Sequence, residues 1–254
     1  MTLDACAGLV ERGDPDRFAA AMAAPPAARA VLFPLYAFNI EVARAPWVAS
    51  EPMIAEMRLQ WWRDALEEIA SGGPVRRHEV VTPLDDVLDA EGARLLDGLA
   101  AARRWECYRD PFEDEADFDR YIDATSGHLV WTAARLLGAR DEAPLRDYAY
   151  AAGVANWLRA IPELESRGRI PLLDGRPEGV AALARRALER LAQGRKGRGR
   201  VPASARAALL AGWQAEALLK QAVRDPAAVA EGRLMQTEFG KRGGLLWAAM
   251  TGRV

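Results

Sequence analysis

Apolar residues along this chain recur at helical spacing far more often than they alternate. From Glu115 onward, Phe118, Tyr121, Ile122, Leu129, Ala133 and Leu136 mark one face of an amphipathic helix, which Gly138 ends. Asp14-Pro15 opens an earlier helix, the acid as N-cap and the proline in the first turn, and Pro25-Pro26 closes it. Pro26 begins the next, running through LFPLYAFNIEVARA with a kink expected at Pro34. Ser50-Glu51-Pro52 starts a long helix that stops at Gly72-Gly73. Thr82-Pro83 starts a short one ending near Gly92, and a longer segment runs from Ala93 to about Asp110. Pro144 opens a helix carrying RDYAYAAGVANWLRAI. The stretch PELESRGRIPLLDGRP reads as irregular, and three helices follow at 178–193, 203–224 and 226–250. Strand signals are scarce, with no β-branched runs and no Asn-Gly or Asp-Gly hairpin turns. The expectation is an all-α chain of nine or ten helices in a single domain over residues 1–254, with no repeat and no dividing linker.

Composition narrows the function. Half of the 254 residues are apolar and 28% are charged, as in an ordinary globular protein. A formal net charge of −2 removes any bulk attraction to nucleic acid, so no nucleic-acid partner is expected. Cys6 and Cys107 lie far apart with no CxxC, and His78 and His128 are the only histidines, which argues against a disulfide framework and a Cys/His zinc site. The longest charge-free stretches, Phe18–Ala28 and Ala30–Ile40, are about half the roughly 20 residues that span a bilayer. The opening MTLDACAGLVERGD is acidic early and lacks a basic region, so the expectation is a cytoplasmic protein with peripheral membrane contact left open.

Candidate chemistry begins with acids. Asp85-Asp86-Val87-Leu88-Asp89 reads DDxxD, and Asp119 with Asp123 reads DxxxD; carboxylates one helical turn apart can hold Mg²⁺ and through it a diphosphate. Context weakens both as metal ligands. Asp85 and Asp86 fall where a helix N-terminus favours acids anyway, and Glu115, Asp119 and Asp123 form a ladder broken by Arg120, as on a solvated face. Trp61 and Trp62 point about 100° apart on their helix, so one is expected in the core and the other at an interface or cavity. His128 reads as a core or boundary residue, and GRKGRGR at 194–200 as a solvated basic loop. No Gly-rich phosphate loop, GxSxG or HExxH is present.

Three stretches, in order and spacing, resemble the squalene/phytoene synthase family of head-to-head prenyl transferases: Leu35-Tyr36-Ala37-Phe38, the QWWRDAL helix, and GVANWLRAIPELESRGRIPL at 153–172. The resemblance implies an all-α isoprenoid-synthase-like bundle around a central apolar cavity, and a Mg²⁺-diphosphate site on two aspartate-rich motifs. Here the first continues Asn39-Ile40-Glu41-Val42-Ala43-Arg44 without an aspartate. In the second, Asn156, Arg159 and Gly168-Arg169 match, but Ala160 and Leu164 occupy the aspartate positions, with Glu163 between. No metal or other cofactor is therefore expected and no catalytic residue is assigned. The residues singled out as cavity or ligand candidates are Tyr36, Phe38, Asn39, Glu41, Asn156, Arg159, Glu163 and Arg169, of which Asn156, Arg159 and Arg169 are also readable as structural, capping helices and pairing with Glu163 or Glu165.

The NIEVAR and LQWWRDAL wording is most similar to a diverged branch of the family that includes an assembly factor for respiratory complex I. By that analogy the expectation is a non-catalytic protein assisting complex I assembly through protein or lipid contact, with complex I subunits or intermediates as partners, at the inner membrane face. Two alternatives stand beside it. One is a Mg²⁺-dependent transferase condensing prenyl diphosphates with Glu41, Glu163 and Asp119 or Asp123. The other is a lipid or isoprenoid carrier.

Overall fold

The computed structural model describes residues 2–48 and 51–252; Ser50, expected to help open the fourth helix, lies outside the described residues. Thirteen α-helices succeed one another with no strand among the described residues. They are α1 (Leu3–Gly13), α2 (Pro15–Ala23), α3 (Pro26–Val48), α4 (Pro52–Ser71), α5 (Val81–Asp85), α6 (Ala90–Ala102) and α7 (Glu115–Ile122). Then come α8 (His128–Leu136), α9 (Ala143–Ser166), α10 (Pro177–Lys196), α11 (Ala215–Arg224), α12 (Ala227–Ala230) and α13 (Glu238–Thr251). The arrangement is an all-α bundle, as the helical spacing of the sequence leads one to expect.

Punctuation explains most boundaries. The Asp14 side chain accepts from the Arg17 amide, capping α2 as its Asp-Pro signal predicts. Gly72 ends α4 in the left-handed conformation (φ +66°), and Gly138 after α8 has φ +102°. Elsewhere the sequence reading needs correction. A helix not expected from the sequence, α1, precedes Asp14, with Thr2 extended at its N-cap and Asp4 in its first turn. With Pro34 inside it, α3 runs on through Pro46 to Val48, past the ARA to which the sequence carries it. Gly92 does not close a helix; Asp89 caps α6 by accepting from the Gly92 amide, so the break falls before it. A 3₁₀ turn at Arg103–Cys107 stops the segment expected to reach Asp110.

The single helix expected after Glu115 is interrupted by a π-helical turn, Asp123–Gly127, between α7 and α8. PELES is helical, because α9 continues through Pro162 to Ser166, and the basic run at 194–200 is helix and 3₁₀ turn rather than open loop. The segments 203–224 and 226–250 each split, the first into a 3₁₀ helix (Ala205–Gly212) and α11, the second into α12 and α13.

The core gathers around α9, buried along much of its length and packed against α10, α11 and the π-turn. Small residues make this possible. Ala149, Ala151, Ala152, Gly153 and Ala155 are all buried, and a Cβ on Gly153 would stand 2.7 Å from Ser126 Cβ and 2.8 Å from Ile122 Cγ2. Ser126 Oγ seals the approach by donating to the Ala149 carbonyl at 2.7 Å. Trp62 enters the core, while Trp61 is partly exposed with Arg76 over its ring.

Two stability measurements probe this interior. Gly153→Ala should lower unfolding free energy by about 1–3 kcal/mol, read by urea titration, because neither the π-turn nor α9 has slack to absorb the methyl. His128 is half-buried, and burial with the nearby Arg146 charge lowers its pKa. Its neutral form is therefore favoured by folding. Stability should decline as pH falls below about 6.5, and His128→Gln should flatten that decline between about pH 7 and 5.

Candidate functional site

Between α3 and α9 lies a cleft of about 540 Å³. Asn39 and Ala43, one turn apart on α3, face it from one side, and Ala152, Ala155 and Asn156 on α9 from another. The first turn of α2 (Asp14, Asp16, Arg17), Gly212, Gln214 and Leu218 from the 3₁₀ helix and α11, and Lys241 of α13 complete the wall. Sharing Arg17, Asn39, Ala43, Arg103 and Asn156 with it, an inner chamber of about 180 Å³ extends inward. Its lining is largely apolar: Trp47, Tyr121, Ile122, Leu129, Trp157, Ala160 and Leu164.

The cleft mouth is ionic. Asp16 receives Gln214 Nε2 at 2.8 Å and pairs with Arg159 at 3.3 Å and Lys241 at 3.8 Å. Asp14 pairs with Arg17 at 2.7 Å. Four cations (Arg17, Arg103, Arg159 and Lys241) thus face the outer cleft against two carboxylates already engaged. At the chamber wall Glu106 is 3% exposed yet lined up with three donors. Arg103 Nη1 and Tyr121 Oη reach its Oε1, each at 2.5 Å, and Trp47 Nε1 reaches Oε2 at 3.2 Å. Burial opposes the Arg103 charge, but Glu106 and Tyr121 outweigh that effect and raise its pKa; burial and the Glu106 charge push the Tyr121 phenol well up.

Of the residues singled out from the sequence, the structure brings Asn39, Asn156 and Arg159 together in this cleft. Ala160 and Leu164, standing where the family motif has aspartates, line the chamber. The others lie elsewhere. Tyr36 and Phe38 are buried, Phe38 edge-on to Trp62. Glu41 lines a separate groove with Arg44, Arg58, Trp61, Trp62 and His78. Glu163 is exposed and pairs with Arg167, while Arg159 pairs with Asp16, so the expected pairing of Arg159 with Glu163 or Glu165 is not what forms. Arg169 is partly buried, with Nε and Nη1 unpartnered, and that burial lowers its pKa.

The acidic strings also resolve. Asp85 and Asp86 stand at the end of α5, not in a first turn, and both are exposed. Asp89 belongs to the next helix, where its bridge to Arg135 brings its pKa down to about 2. Asp119 accepts from Tyr150 and pairs with Arg186, and Asp123 pairs with Arg146, so this ladder ties helices together rather than facing water alone.

A diphosphate-gripping Mg²⁺ cluster needs several free carboxylates on facing helices. Among the described residues no three His, Cys, Asp or Glu side chains converge, and the chamber offers alanine and leucine instead. The residues present do not fit the metal.

The sequence reading missed Asp16, Arg17, Arg103, Glu106, Gln214 and Lys241. DPDR reads only as a capping signal, and a lone acid between Trp105 and Cys107 is the available hint of a buried carboxylate.

A family model described as squalene/phytoene synthase matches residues 10–172, and the chain belongs to that family. It is 28% identical over 177 residues to the complex I assembly factor 6 homolog of Drosophila melanogaster, covering 66% of this chain and 53% of that one. With complex I assembly factor 6 of Homo sapiens it shares 25% over 181 residues, covering 65% and 51%. The chain spans about half the length of the curated relatives it matches. A dehydrosqualene synthase crystallised with ligand superposes with TM-score 0.77 at 15% identity, covering 99% of this chain and 97% of that one. Squalene synthase HpnC from Alicyclobacillus acidocaldarius gives 0.73 at 18%, covering 89% and 94%. At those identities the two structures speak to fold alone.

Because Arg103 would keep a buried charge without its partner, Glu106→Ala should cost about 3–5 kcal/mol of unfolding free energy in urea, far more than an exposed pair such as Glu163–Arg167.

Proposed function

We propose that this chain is a non-catalytic squalene/phytoene synthase relative that serves the assembly of respiratory complex I, working peripherally at a membrane. One observation carries the reading: the cleft retains Asn156 and Arg159, yet Ala160 and Leu164 line the chamber at the family's aspartate positions. A cavity with a cationic mouth and an apolar interior suits a molecule with an anionic head and an apolar tail, held by direct charge-assisted hydrogen bonds in place of a metal bridge. The assembly role rests on the complex I assembly factors that the chain resembles over two thirds of its length. The transferase alternative has less support, because Glu41, Glu163, Asp119 and Asp123 are dispersed among a separate groove, an exposed pair and two interhelical bridges.

Calorimetric titration of farnesyl diphosphate with and without Mg²⁺ tests the cleft. Binding should be indifferent to the metal and release no pyrophosphate. Arg159→Ala should weaken it by about tenfold, the worth of one charge-assisted bond, and leave the melting temperature nearly unchanged because the Arg159–Asp16 pair is solvent-accessible. Metal-dependent binding with turnover would return the chain to the enzymes. In cells, removing the protein should lower assembled complex I on native gels; unchanged complex I would refute the assembly role.

A further inference from the structure

A helix resting on a globular protein normally turns its apolar stripe inward. In α13 that arrangement is reversed. Phe239, Gly243, Leu246 and Met250 recur at i, i+4, i+7 and i+11, which places them on one face, and Phe239, Leu246 and Met250 are 89%, 62% and 78% exposed. Trp247, beside them, is 60% exposed. The opposite face holds the helix to the body through buried Ala248, the Trp213 indole donating to the Lys241 carbonyl at 3.2 Å, and the Lys241–Asp16 pair. The anchoring is thus complete without the apolar stripe.

The surroundings say what covers it. Exposed Arg242 lies on α13 itself, and the basic run that includes exposed Lys196 adjoins the helix: Arg198 donates to the Thr251 carbonyl at 2.9 Å. A groove of about 480 Å³ under the helix is walled by Trp213 and Trp247 with Arg195 and Arg198 at its edge, and its acid, Glu216, is paired with Arg195 and Lys220. Exposed aromatic and aliphatic side chains rimmed by cations complement an anionic bilayer, in which the apolar face enters the acyl boundary and the cations meet phosphates. Fourteen residues rise only about 21 Å, so the helix lies in the interface and does not cross it.

We infer that α13 is a membrane-docking helix that seats the protein on an anionic phospholipid surface through Phe239, Leu246, Trp247 and Met250, with Lys196 and Arg242 contacting headgroups. The inference deepens the peripheral-membrane part of the proposed function and rests on it. Flotation of the full chain with vesicles of phosphatidylcholine alone, or mixed with phosphatidylglycerol, is the test. The protein should float with the mixed vesicles and not with the neutral ones. Leu246→Ser with Met250→Ser, and separately Lys196→Glu with Arg242→Glu, should each weaken that binding about tenfold or more while thermal unfolding stays unchanged. Equal flotation of wild type and both variants would overturn the docking surface and leave membrane association standing elsewhere on the molecule. Failure of the wild type to float with either vesicle would overturn both. Self-association of the wild type that Leu246→Ser with Met250→Ser abolishes would show that a second copy covers this face, and would overturn the lipid assignment.

Discussion

A carboxylate taken out of water must find partners where it is buried, and Glu106 organises much of the molecule by that requirement. Its three donors come from three separate stretches: Trp47 from the end of α3, Arg103 from the turn after α6, and Tyr121 from α7. Fixing these side chains fixes one wall of the inner chamber, since all four line it. The same turn therefore sets the spacing between α3 and α7, while the small residues of α9 set the spacing across the chamber. Arg167 reinforces the arrangement by lying 4.5 Å from the Trp47 ring centroid, tying the end of α9 to the end of α3.

Charge at the cleft mouth obeys a different logic from charge in the chamber. Arg159 and Lys241 are held by Asp16 and remain partly exposed, so each stays able to turn toward an incoming anion at little cost. Glu106 and Arg103 are committed to one another. The site is consequently stiff inside and adjustable at its opening. On the proposed reading, a charged head would be met at the opening and the shape of an apolar tail read inside.

Much of the architecture is legible from spacing, because proline and glycine act locally on backbone geometry. Asp14-Pro15 and Gly72 do their work within a turn of themselves, which is why α2 and α4 can be read directly. The π-turn and the passage of α9 through Pro162 cannot, since each depends on packing against another helix. In the site, the motif residues Asn39, Asn156 and Arg159 can be found because they lie on the long helices that carry the family likeness. Glu41 misleads for a geometric reason: two residues from Asn39 on a helix, it points away from the cleft and into the groove with Trp61. Asp16 and Lys241 meet across more than two hundred residues, and no local pattern encodes such a pair.

The family-model match ends at residue 172, but the cleft does not. Gly212, Gln214 and Leu218 close one side of it, and Lys241 contributes one of its four cations. A chain shortened to the matched span would lose that wall and with it the Gln214 and Lys241 contacts to Asp16. The site is therefore a joint property of the segment that the family model matches and the helices C-terminal to it. Transplanting residues 10–172 alone onto another protein would carry the motif without the pocket.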